Sequence, residues 1–233
     1  MKFFASVILL FLFFTTSVYC QNDRFASSSK TPLSITVNGG MTLSKLSAKG
    51  FNIPGEPYGN MELSYLTDVQ LEYQLSPELR IRSGVGFVRL GGKSDLQVTT
   101  DVTGRVLNDI RFVAKLSYIE IPLLLRYVVK RAGYHPYLAS GVTVGFLRST
   151  GLELDPALEA AFFVEDILVK PTRDEAIGFS LAVGVQIPIR GAFGIDIGGA
   201  YNLELTNQLN RSNDGLEQRA RSWRFALGLF TAI

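Results

Sequence analysis

The sequence predicts an all-β protein: an eight-stranded antiparallel up-and-down transmembrane β-barrel that follows an N-terminal signal peptide. Three observations predict it. Apolar and polar residues alternate by twos over segments longer than strands of soluble proteins usually run. The connections between these segments alternate long and short, as the external loops and periplasmic turns of membrane barrels do. The chain also opens on an apolar run with the length of an export signal.

The 233 residues carry a formal charge of only +2, without blocks of like charge, so nothing suggests nucleic acid as a partner. Lys2 followed by FFASVILLFLFF over residues 3–14 has the charge and apolar core of a signal peptide. That run is shorter than the roughly 20 apolar residues of a membrane-spanning helix, and no later stretch reaches that length. Small and neutral residues close the segment, so residues 1–20 are expected to leave by cleavage before Gln21. Cys20 is the only cysteine and would depart with the signal, leaving a mature chain without thiols. Its alternative fate, acylation as the first residue of a lipoprotein, is disfavoured by the bulky Tyr19 beside it. Residues 21–32 are polar and serine-rich, a flexible lead-in. The barrel domain is expected over residues 33–233.

The segment at 61–75 sets the pattern. Met61, Leu63, Tyr65, Val69, Leu71, Tyr73 and Leu75 fall on one face, and Glu62, Ser64, Asp68, Gln70, Glu72 and Gln74 on the other. Before it, Leu33, Ile35, Val37, Met41 and Leu43 alternate with polar residues. After it, Ser76-Pro77-Glu78 turns the chain into Leu79, Ile81, Val85 and Phe87, opposed by Arg80, Arg82, Gly84 and Gly86. A fourth segment, ending near Val129, changes phase: Phe112, Ala114 and Leu116 share even parity, whereas Ile119, Ile121, Leu123, Leu125 and Tyr127 are odd. A β-bulge near Ser117 is expected to absorb the flip, and Pro122 costs this strand a ladder hydrogen bond. Leu138, Val142, Val144 and Phe146 mark a fifth strand. The long connection at 148–175 contains Asp155-Pro156, a helix-start signal, so a helix is expected to about Leu168. Ile177 through Ile187 alternates most regularly; a three-residue turn containing Gly191 then leads into Phe193, Ile195, Ile197, Tyr201 and Leu203. Trp223, Phe225, Leu227 and Leu229 close the chain.

The apolar face is expected to meet lipid. Glycines at 84, 86, 178, 184, 194, 198 and 228 lie on the polar face, suiting the narrow interior of an eight-stranded barrel. The large residues Phe87, Phe146, Phe179, Phe193, Tyr201, Trp223 and Phe225 would overfill such a lumen, but suit its exterior. Tyr73, Tyr127, Tyr201 and Trp223 are candidates for aromatic girdles. A bilayer also admits only helices or closed barrels, because every backbone polar group must be paired.

Residues 118–127, YIEIPLLLRY, followed by 136–146, PYLASGVTVGF, resemble the signature hairpin of the PorT-type outer-membrane β-barrel proteins of Bacteroidetes. GFSLAVGV at 178–185 is similar to that family's next strand, and Glu-Ile-Pro-Leu-Leu-Leu is the distinctive core. The resemblance implies an OmpA-like barrel in the outer membrane of a Gram-negative bacterium, with a link to type IX protein secretion. The chain departs from such barrels in ending Phe230-Thr231-Ala232-Ile233 rather than on an aromatic residue. Recognition by the assembly machinery is therefore expected to rest on Phe230 or to tolerate Ile233.

No phosphate loop, zinc spacing or calcium-loop spacing is present in the sequence, and no cofactor or metal is expected. His135, the only histidine, falls in a short turn without a catalytic partner nearby. The lumen is expected to hold an ion-pair network of Glu62, Asp68, Glu72, Arg80, Arg82, Glu120, Arg126, Asp196, Glu204 and Arg224. A three-residue turn at 76–78 places Glu72 opposite Arg82 and Gln74 opposite Arg80. Paired, these charges would plug the barrel. Phe162 and Phe163, in the acidic third external loop with Glu153, Asp155, Glu159, Glu165 and Asp166, form a candidate surface for a protein partner. The basic end of the fourth loop, with Arg211, Arg219 and Arg221, could dock on the acidic one. The sequence thus points to a non-enzymatic, structural or partner-binding barrel in contact with outer-membrane lipid. Its alternatives are a small pore and a lipid-modifying enzyme acting at the external rim. His135, at the opposite rim, counts against the latter.

Overall fold

The computed structural model describes residues 33–49, 60–94, 112–154, 174–207 and 217–233. Eight strands close into one antiparallel barrel in chain order. They are β1 (Leu33–Lys49), β2 (Asn60–Gln74), β3 (Leu79–Ser94), β4 (Phe112–Val128), β5 (His135–Leu154), β6 (Glu175–Arg190), β7 (Phe193–Glu204) and β8 (Glu217–Ala232). The ring is completed by β1 pairing with β8, from Ser34 opposite Ala232 to Lys49 opposite Glu217. The expected signal peptide, Cys20, the lead-in, the helix after Asp155, and Phe162 with Phe163 lie outside the described residues. So do Glu159, Glu165, Asp166 and Arg211.

The wall is inverted relative to a soluble protein. Leu229 (67% exposed), Phe193, Leu227, Leu63, Val85 and Leu123 point outward, whereas Arg126 and Glu72 are 0% and 2% exposed. Strand periodicity makes both faces possible at once, because successive side chains alternate sides. Hydrocarbon accepts the outer face without the cost that water would impose.

Two short turns keep the faces in phase. Ser76 Oγ accepts hydrogen bonds from the Glu78 and Leu79 amides at 3.4 and 3.0 Å, and the Leu75 amide donates to the Leu79 carbonyl at 2.9 Å. The turn after β6 differs from expectation: Arg190 pairs with Phe193, so only Gly191 and Ala192 form it. Ile189 is an extra residue in β6, and it restores the parity that a three-residue turn would have supplied. Gly191 has φ +58°, a left-handed conformation that a side chain would strain.

The phase change expected in β4 does not occur. Its register with β3 runs unbroken through Val88–Tyr118 and Arg89–Ser117. The extra residue sits on β5 instead, where Ser117 faces Ser149 and Tyr118 faces Leu147, leaving Arg148 unpaired. Ala114 and Leu116 therefore stay on the inner face, where both are fully buried. They belong to an apolar cluster with Leu46, Leu66, Val88, Leu90, Tyr118 and Ala220 that fills the lumen toward the long connections.

β2 carries a real irregularity between Met61 and Leu66, where its pairing with β3 slips. There β1 reaches past it: Thr42 Oγ1 donates to the Arg89 carbonyl at 2.7 Å, and Ser44 Oγ accepts from the Gly91 amide at 2.7 Å. Ser44 also donates to the Gly91 carbonyl at 3.0 Å. These hydroxyls satisfy backbone groups of β3 at the slip, as buried backbone polar groups require.

Candidate functional site in the lumen

The charged side chains gather where the barrel approaches its short turns. Registers from β2 to β4 place Glu72 opposite Arg82, Gln74 opposite Arg80, and Arg80 opposite Arg126. Two arginines directly opposite each other repel. Glu72 resolves the conflict by bridging them: Oε1 accepts from Arg80 Nη1 and Oε2 from Arg126 Nη1, each at 2.5 Å. Arg82, although Glu72 lies across from it, extends over the lumen to Asp196 Oδ2 at 3.3 Å.

Asp196 is the second hub. Oδ2 accepts from Arg126 Nη2 at 3.1 Å and from Gln186 Nε2 at 3.3 Å, and Oδ1 accepts from the Tyr137 hydroxyl at 2.8 Å. Gln186 faces Asp196 directly in the β6–β7 register, and its Oε1 accepts from Arg80 at 3.2 Å. The guanidinium carbon of Arg126 lies 3.3 Å from the centre of the Tyr137 ring, a cation–π contact in a desolvated setting. Glycine makes room for that ring. A Cβ at Gly184 or Gly198 would strike the Tyr137 hydroxyl. Three guanidiniums thus share two carboxylates in a place where an unpaired charge would cost several kcal/mol, roughly 3–5 by comparison with broken buried pairs.

The remaining expected members divide into separate contacts. Glu120 on β4 takes both Nη atoms of Arg224 on β8, at 2.5 and 2.8 Å, a bidentate bridge across the barrel. Asp68 accepts from Asn38 Nδ2 at 2.6 Å. Glu62 pairs with the half-exposed Lys93 at 2.8 Å near the rim. Glu204 Oε2 accepts the Ala220 backbone amide at 2.8 Å, a role as a cap on β8 within the wall. A cavity of about 110 Å³ lies among Asp68, Gln70, Arg82, Glu120, Asn202 and Arg224. The buried Asn202 amide meets no hydrogen-bond partner there among the described residues. Among those residues, no three His, Cys, Asp or Glu side chains converge as a metal site would need.

Sequence reasoning passed over Tyr137, Gln186 and Asn38. Parity could have found the first, since Leu138 and Val142 facing lipid puts Tyr137 inside. His135, the first residue of β5, pairs with Gln186 in the ladder and is half-buried at the turn end.

A family model described as an outer membrane protein beta-barrel domain matches residues 21–204. No curated protein matches the chain. Among solved structures, OprG from Pseudomonas aeruginosa is 12% identical with a TM-score of 0.49, over 86% of this chain and 96% of that one. Neisserial surface protein A is 14% identical with a TM-score of 0.46, over 85% and 97%. Outer membrane protein W of E. coli is 12% identical with a TM-score of 0.41, over 86% and 97%.

Proposed function

The chain belongs to the outer membrane protein β-barrel domain family and resides in the outer membrane, and we propose that it acts there as a closed, non-enzymatic barrel that presents its external loops to a protein partner. The observation that carries this reading is the Glu72–Arg126–Asp196 cluster, which fills the lumen at the turn end with mutually paired charge. A second layer, the apolar cluster around Leu116, fills the loop end. Small barrels of this strand number have interiors that side chains can fill. A chain arranged so works through its surface and loops rather than by conduction. Phe162 and Phe163 are the proposed contact residues, and the PorT-like hairpin at 118–127 and 136–146 favours a partner in the secretion apparatus of a Bacteroidetes cell. On this reading residues 1–20 are removed on export and residues 21–32 precede the barrel.

Single-channel recording on purified protein in planar bilayers tests the closed state. Quiet bilayers are expected; a steady conductance that scales with salt would favour a narrow pore instead. Pull-down with wild type and a Phe162→Ser/Phe163→Ser variant tests the loop. The partner should be lost with the variant, and equal recovery would remove those residues from the reading.

A further inference from the structure

Between the charged cluster and the apolar cluster the lumen keeps a chamber of about 110 Å³ that neither layer fills. Arg82, Tyr137 and Asp196 bound it on the side of the short turns, and Leu66 and Val88 on the side of the long connections. Small residues leave the space open. Ala182 faces Ala200 across the β6–β7 ladder, and Gly86 and Gly198 add no side chain to the wall. The rest of the wall is polar. Asn202 is only 6% exposed, and the ladders set it between Ser180 of β6 and Ser222 of β8, which are buried as well.

Three residues that line this chamber carry buried polar atoms without a hydrogen-bond partner among the described residues: Asn202 Nδ2 and Oδ1, Gln70 Oε1 and Arg82 Nε. Native interiors rarely leave such groups unpaired. Two of these atoms donate and two accept. A cation would satisfy only the acceptors and an anion only the donors, whereas water serves both. Charge leads to the same occupant. Arg80, Arg82, Arg126 and Arg224 equal Asp68, Glu72, Glu120 and Asp196 in number, so the lumen needs no ion for balance. Asp68 nevertheless has a local need, because it accepts its hydrogen bond from the neutral Asn38, while the guanidiniums of Arg82 and Arg224 go to Asp196 and Glu120.

We propose that the chamber binds a cluster of about three or four ordered water molecules, at roughly 30 Å³ each, hydrogen-bonded to Asn202, Gln70 and Arg82 and solvating Asp68. The water gives Asp68 the solvation that no cation supplies, so β2 carries a carboxylate inside the wall without an ion pair. Asp196 draws nothing from it, since Tyr137 takes one of its oxygens and Arg82, Arg126 and Gln186 share the other. The lumen is thus wet in its middle and sealed on both sides. This inference rests on groups inside the barrel and is independent of any partner at the external loops.

Water-selective nuclear Overhauser spectra of the isotope-labelled full chain in detergent micelles test the site. Wild type should show cross-peaks from long-lived water to the side-chain amides of Asn202 and Gln70. Ala200→Leu fills the chamber and leaves every polar partner in place, so it should lose both cross-peaks. Asn202→Leu should weaken the Gln70 cross-peak, and Leu116→Met, in the apolar layer, should keep both. Heat-modifiable gel mobility reports folding of each variant. Wild type without these cross-peaks, or a folded Ala200→Leu protein that retains them, would overturn the proposal. So would shifts of the Ala182 and Ala200 methyl resonances under pressurised xenon, which enters dry cavities. A saturable shift of the Asn202 amide on titration with potassium chloride would overturn it in favour of a bound ion.

Discussion

Near its short turns the barrel is filled by Arg80, Arg82, Arg126, Glu72 and Asp196; near its long connections it is filled by Leu46, Leu66, Val88, Leu90, Leu116 and Tyr118. The two halves are held together by different rules. The apolar half is held by volume, so the cost of a change depends on the hole that it leaves. The charged half is held by completeness: each carboxylate oxygen has a donor, and removing one partner strands the others in a dry interior. An apolar lumen would be less sensitive to single changes. With Tyr137 and Gln186, the charged one ties six consecutive strands, β2 to β7, together.

The largest effect should come from breaking completeness. Glu72→Gln leaves Arg80 and Arg126 facing each other across the β3–β4 ladder and should cost about 3–5 kcal/mol. Urea titration of the refolded protein in lipid vesicles reads it, and a loss below about 1 kcal/mol would put the two halves on the same footing. Next, Leu116→Ala should cost about 2–4 kcal/mol by opening a cavity among fully buried neighbours, whereas Leu116→Met should cost less than about 1.5. If the methionine variant is as damaging as the alanine one, volume does not govern that half. Tyr137→Phe removes one donor from Asp196 and keeps the ring over Arg126, so about 1.5 kcal/mol is expected from the same titration. Smallest of all, Lys93→Gln should change stability by less than about 0.5 kcal/mol, because Lys93 is 45% exposed and its pair with Glu62 sits at the rim.

The comparison also marks where sequence reasoning succeeds. The lipid face was legible because parity is local: Met61, Leu63, Tyr65, Val69 and Leu71 announce it without knowledge of any other strand. Register near a tight turn was legible as well, since the turn at 76–78 dictates Glu72 opposite Arg82. The partners were not. Arg82 bonds to Asp196, 114 residues away, and Arg224 bonds to Glu120, 104 residues away, both across the lumen. Ladder register describes adjacent strands, whereas a closed barrel brings distant ones together through its centre. The apolar half was obscured for a different reason. Phe112, Ala114 and Leu116 look like lipid-facing residues out of phase, and a bulge in β4 is the economical explanation. The structure keeps the phase and changes the environment instead, and its bulge on β5 at Arg148 leaves no apolar signature.

The claim that completeness holds the turn end is tested most directly by a double-mutant cycle on Glu72→Gln and Arg126→Met, read as unfolding free energy in lipid vesicles. The two residues share a bridge at 2.5 Å, so the changes should be strongly non-additive, with a coupling of about 1–3 kcal/mol. Additivity to within about 0.5 kcal/mol would contradict the account and leave the cluster as a collection of independent contacts.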